Sequence, residues 1–141
     1  MKTEPITIEH RAMRMLGLAA AKSRLADVDK AARSILERQR PDGGWAQRDE
    51  LASDAYATGI ALWALADAGQ LKPRDAAFQR AVKFLLSTQA EDGSWHVVSR
   101  AVVLVQPYFE SGFPYSHDQW ISSMATGWAT TALALAVEPP Q

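Results

Sequence analysis

Two stretches of this chain, fifty residues apart, carry the same punctuation. AARSILERQRPDGGW (31–45) and AVKFLLSTQAEDGSW (81–95) share Ala, Leu, Gln, Asp, Gly and Trp at matching places. Farther along, ATGIALWAL (57–65) aligns with ATGWATTAL (125–133), now at an offset of sixty-eight. Self-similarity of this kind means that one supersecondary unit is used twice, each copy burying its apolar face against the next. The change in offset places an insertion of eighteen residues after Trp95, in the segment of about 96–119.

The apolar spacing says what the unit is. Asp27 to Gln39 carries Val28, Ala31, Ala32, Ile35 and Leu36 at helical intervals, with Lys30, Arg33, Glu37 and Arg38 on the other side. Pro41, Gly43 and Gly44 stop it. Arg74 to Thr88 repeats the plan with Ala77, Phe78, Ala81, Val82, Phe84 and Leu85. Between them, Asp54 to Ala68 is apolar all round, which predicts a helix covered on every side, capped by Ser53 or Asp54 and closed by Gly69. Trp120 to Val137 holds no charge for eighteen residues and reads as a second helix of that kind. Its five Ser or Thr and one Gly favour burial in protein over a membrane span. His10 to Leu25 reads as a further, more charged helix. Nothing alternates with period two over more than a few residues, so the fold class is all-α.

The spacings Gln39-x-x-x-Gly43-x-Trp45 and Arg80-Ala81-x-x-Phe84-Leu85-x-x-x-Gln89-x-x-x-Gly93-x-Trp95 resemble the QW motifs of squalene-hopene and oxidosqualene cyclases. Those enzymes share an α/α toroid with protein prenyltransferase β subunits. The resemblance covers roughly residues 27 to 136, with Ser34 where the motif usually has an aromatic. It implies alternating outer and inner helices in a single toroid-like domain over 1–141. A complete toroid has about twelve helices and this chain shows five or six, about half a ring. The expectation is a piece of a longer toroid, or a chain completed by another toroid half or by a second copy of itself, because open repeat ends expose core faces. Independently of the resemblance, each Gln at the last turn of an outer helix can offer its amide to the unpaired carbonyls there, with the Trp ring lying over it. Asp42 and Asp92, each before a Gly, suit the tight turn between.

Composition narrows the chemistry. There are 15 Lys plus Arg, 16 Asp plus Glu, and no Cys. The balance gives no excess of positive charge for phosphate backbones, so nucleic acid is not an expected partner. The absence of Cys excludes disulfides, thiolate zinc sites and a cysteine nucleophile. No metal and no cofactor are implied. The class II cyclases this chain resembles protonate their substrate through Asp-x-Asp-Asp, which this sequence lacks; its nearest acids, Asp49, Glu50 and Asp54, are not an adjacent pair. The zinc site of prenyltransferases needs Asp, Cys and His. No stretch in Met1 to Glu9 reads as a secretory signal, so a chain complete as given would be cytoplasmic.

All 15 basic residues lie between Lys2 and Arg100, whereas 101 to 141 carry only Glu110, Asp118 and Glu138 and hold six of the twelve aromatics. The inserted stretch is therefore the candidate functional region. Pro107, Gly112 and Pro114 forbid a long helix there, and the segment is expected to fold over the end of the inner helices. Glu110, His117 and Asp118, with His96, are the acid–base candidates, set against ordinary hydrogen bonding and helix capping by Asp118. Tyr56, Trp63, Tyr108, Phe113, Tyr115, Trp120 and Trp128, with Met124, are the candidates for an apolar ligand surface, set against plain core. Two functions follow. One is a binding or scaffold module holding a hydrophobic or isoprenoid-like small molecule. The other is a fragment of an enzyme, either cyclase-type or carbohydrate-active, whose acid lies elsewhere or in the 110–118 loop.

Overall fold

The computed structural model describes residues 7–101 and 109–137. Five helices follow one another: α1 (Ile8–Ala20), α2 (Leu25–Leu36), α3 (Ala55–Asp67), α4 (Ala76–Thr88) and α5 (Gln119–Ala134), the last entered through a 3-10 turn, Ser116–Asp118. Among the described residues everything regular is helical apart from one isolated antiparallel bridge between Trp45 and Asp54. No helix among them is long and apolar enough to cross a membrane.

α3 is the hub. It buries ten of its thirteen residues, among them Ile60, Leu62 and Leu65. α1, α4 and α5 pack around it, and α2 packs on α1. α2 and α4 bury one stripe each, Val28, Ala31, Ala32 and Ile35 in the first and Phe78, Ala81, Phe84 and Leu85 in the second. This is the alternation of outer and inner helices expected of a partial toroid. The Asp54 carboxylate caps α3 by accepting the Ala57 N–H at 2.8 Å. Gly69, at φ +70°, ends it.

The closest helix contact is between α3 and α5. Gly59 sits so near α5 that a Cβ there would lie 2.7 Å from the Ala129 nitrogen and the Trp128 carbonyl carbon. Only glycine permits this approach.

Two sequence expectations need correction. The first helix stops at Ala20, five residues short of Leu25, because Lys22 turns left-handed (φ +51°) and the Lys22 and Ser23 N–H groups close back on the Ala19 and Leu18 carbonyls. A left-handed end without glycine has no clear sequence mark. α5 is not covered on every side. It buries Gln119, Ser122, Ala125, Ala129 and Ala132, while Trp120, Ser123, Met124, Gly127, Thr130, Thr131 and Ala134 face solvent. The absence of charge identified an apolar helix but not the number of its neighbours.

Candidate functional site

The two loops that follow α2 and α4 make the same hydrogen bonds. Trp45 Nε1 donates to the Ile35 carbonyl and Trp95 Nε1 to the Leu85 carbonyl, each at 2.8 Å. Gln39 and Gln89 donate from Nε2 to the Gly43 and Gly93 carbonyls at 2.9 and 2.8 Å. Asp42 and Asp92 accept the Gly44 and Ser94 N–H groups. The Trp45 and Trp95 N–H groups donate to Thr58 and Thr126, on α3 and α5. The expected division of labour is thus reversed: the indole serves the helix carbonyl, and the Gln amide ties the loop to itself. The Gln39 amide also donates to the Ala77 carbonyl of α4 at 2.8 Å. Both indoles are fully or almost fully buried. Gly43 and Gly93 adopt φ of +90° and +86°.

These loops carry the chain onto one end of α3 and α5, where a cleft opens. Gln47 lies at its floor and is almost wholly buried. Its carbonyl accepts the Ile8 N–H at 3.1 Å, its Nε2 donates to Asp54 Oδ2 at 2.7 Å, and its Oε1 accepts from Arg100. A cavity of about 510 Å³ is lined by Gln47, Arg48, Ser99 and Arg100 together with Val98, Trp120, Ile121 and Met124. A neighbouring space of about 300 Å³ shares Gln47, Val98 and Arg100 and adds Leu51, Ser53, Asp54 and His96. Val98, Trp120 and Met124 are exposed although large and apolar, as is Phe109, whose carbonyl accepts the Trp120 indole N–H at 3.1 Å. The lining of the cleft mixes cationic and amide groups with apolar and aromatic ones.

Burial raises the Asp54 carboxyl above its ordinary 3.8, opposed by hydrogen bonds from Ala57 and Gln47 and by the charge of Arg100. Oδ1 accepts from the helix and Oδ2 from Gln47. Asp118 moves the other way. Desolvation raises it, but the Ser99 N–H at 2.8 Å, the His96 ring at 2.7 Å and the charges of His96 and His117 together bring it below 3.8. His96 also stacks on Tyr115 with ring centres 4.6 Å apart and planes 9° from parallel. The Tyr115 hydroxyl meets Ser94 Oγ, which in turn meets Asp92. Tyr115 and Ser116 pay for this clasp with left-handed backbones, φ +82° and +51°.

The candidates from the sequence are therefore dispersed. Asp118 stands at the N-cap position of α5 without capping it, its carboxylate being directed to His96 and Ser99. Glu110 accepts the Gly112 N–H at 2.8 Å, and His117 lies in the 3-10 turn. Among the described residues no three of His, Asp and Glu come together as a metal cage would require. Tyr56 is buried on α3. Desolvation, together with the charge and hydrogen bond of Glu9, pushes its hydroxyl up to about 12. Trp63 and Trp128 are half-buried and pair across α3 and α5 with ring centres 4.9 Å apart. Phe113 leans on Tyr115 at 6.3 Å. Trp120 and Met124 reach the cleft. Tyr108 lies outside the described residues. Sequence reasoning passed over Gln47, Arg48, Val98 and Arg100. One sign was available: Arg100 is the last basic residue before a third of the chain without any.

Comparison with known proteins agrees with this architecture. Residues 2–139 match the family described as the squalene-hopene cyclase C-terminal domain. A lanosterol synthase of Aspergillus fumigatus is 34% identical over 117 residues, an overlap that takes in 81% of this chain and 14% of that protein. With the match running over nearly its whole length, the chain belongs to the squalene-hopene cyclase C-terminal domain family.

Proposed function

We propose that this chain is a toroid segment whose twinned Gln–Trp loops are QW-type ties, and that it binds an amphiphile in the cleft between Arg48 and Trp120. The supporting observation is the mixed lining, in which Arg48 and Arg100 share one cleft with Val98, Trp120, Ile121 and Met124. A volume of about 510 Å³ falls within the range of small-molecule sites. The occupant this fits is an isoprenoid-like chain ending in an anionic head, its apolar part on Trp120 and its head near the arginines. Catalysis is not part of the reading, since the Asp-x-Asp-Asp acid is missing from this sequence and Asp54 serves as an acceptor.

Titration calorimetry with farnesyl phosphate and farnesol tests the proposal. The phosphate should bind more tightly, Arg48→Ala should narrow the difference, and Trp120→Ala should weaken both by about tenfold, roughly 1.4 kcal/mol. No binding of either probe, or binding unaffected by Trp120→Ala, would refute it. One observation favours an enzymatic alternative, the His96–Asp118 pair at 2.7 Å beside the cleft. Product formed from squalene by the purified chain, and lost in Asp118→Asn, would support that reading instead.

A further inference from the structure

We propose that residues 95–100 present a docking edge for an extended, acidic peptide, which pairs with the backbone of His96, Val98 and Arg100. The argument begins with how this stretch is held. The N–H groups of Trp95, Val97 and Ser99 donate to Thr126 Oγ1, Ser122 Oγ and Asp118 Oδ1 at 3.0, 3.0 and 2.8 Å. The donors stand two residues apart and the acceptors four residues apart along α5 and its N-cap. Two extended residues advance about 6.6 Å and four helical ones about 6 Å, so the rungs match when the stretch is extended and runs antiparallel to α5.

An extended chain turns the N–H and C=O groups of alternate residues to opposite edges. The edge toward α5 is taken, including the Val97 carbonyl, which accepts from Ser122 Oγ. The other edge carries the N–H groups of His96, Val98 and Arg100 and the carbonyls of His96 and Val98, and none of these is hydrogen-bonded among the described residues. It borders the space of about 300 Å³, which takes His96, Val98 and Arg100 from this stretch and Leu51, Ala52 and Asp54 from the loop before α3. A row of unpaired backbone groups recurring at every second residue is a template that a second extended chain matches. Charge selects the chain. Arg100 and His96 line the space and Arg48 lines the cavity beside it, whereas the Asp54 carboxylate is already engaged by Ala57 and Gln47. Leu51, Ala52 and Val97 give the alternate side chains an apolar wall. The occupant these features fit is a strand of acidic residues alternating with aliphatic ones.

Amide exchange of the purified chain with and without acetyl-Glu-Val-Glu-Val-Glu-amide tests this. The amides of His96, Val98 and Arg100 should exchange about tenfold more slowly with the peptide bound. Val98→Pro deletes a donor of the open edge and keeps the three rungs, since proline and the residue before it both accept extended backbone. It should weaken binding about tenfold, whereas Val98→Ala should bind as the unsubstituted chain does. Protection of the Ser99 amide in Val98→Pro checks that the rungs stand, and if it is lost, exchange in the unsubstituted chain decides. The counterpart acetyl-Lys-Val-Lys-Val-Lys-amide should bind about tenfold more weakly. Unchanged exchange at His96, Val98 and Arg100 in millimolar peptide overturns the proposal. So does binding that survives Val98→Pro with the rungs intact, that is lost equally in Val98→Ala, or that does not distinguish the two peptides. Trp120 does not line this space, so the Trp120→Ala titration with farnesyl phosphate reads the ligand proposal separately.

Discussion

Replacing Trp45 with alanine removes two supports at once. The ring is fully buried and its N–H is held by the Ile35 carbonyl at 2.8 Å. Emptying a buried indole site costs about 3–5 kcal/mol. The Ile35 carbonyl keeps the Arg38 N–H at 3.0 Å, so losing the indole bond adds only about 0.5–1.5 kcal/mol. The sum approaches the whole stability of an ordinary domain, about 5–15 kcal/mol, so Trp45→Phe is the informative companion. It keeps most of the ring and loses the N–H, and the lost bond should cost about 0.5–1.5 kcal/mol. Urea unfolding followed by far-ultraviolet circular dichroism measures both variants without relying on the indole that has been removed. Trp95→Ala should behave alike, since Trp95 makes the same bond to Leu85. A loss below about 1 kcal/mol for Trp45→Ala would refute the reasoning and return the loop tryptophans to other roles.

Three other outcomes follow from the geometry. Gly59→Ala should destabilise by about 1–3 kcal/mol because backbone atoms of α5 occupy the space, whereas Gly127→Ala should be neutral or stabilising by up to about 1 kcal/mol; thermal unfolding of the two decides. Carboxyl NMR should find Asp54 titrating above 3.8 and Asp118 below it. Linkage then gives opposite slopes: Asp118 contributes stability that is present above 3.8 and lost as pH falls through its depressed value, while Asp54 lowers stability as pH rises from 3.8 through its raised value. Denaturation of Asp118→Asn and Asp54→Asn across this range should remove one slope each. Asp118→Asn should also speed amide exchange at Ser99, whose N–H the carboxylate accepts at 2.8 Å, and unchanged exchange would show that the clasp does not hold the segment.

Much of the fold was legible because it follows from apolar spacing and from Gly–Trp punctuation, both local properties. The ten buried residues of α3 were visible as a run apolar on every side. The open face of α5 was not, since a charge-free helix reads alike whether or not a neighbour covers it. The partition of roles between Gln39 and Trp45 is set by how the loop folds back on the helix, and spacing does not state that. The cleft was the least legible part. Gln47, Arg48 and Arg100 come together only through loop geometry, and their sequence neighbourhoods are ordinary. Aromatic content pointed to Trp120, which reaches the cleft, and equally to Trp63 and Trp128, which pair with each other.

Labelling the five tryptophans with 5-fluorotryptophan turns that contrast into a measurement. Fluorine NMR during titration with farnesyl phosphate should move the Trp120 resonance, assigned by Trp120→Phe, and leave those of the buried Trp45 and Trp95 and of the Trp63–Trp128 pair in place. Shifts confined to Trp63 and Trp128, or none at any tryptophan, would contradict a ligand site in the cleft.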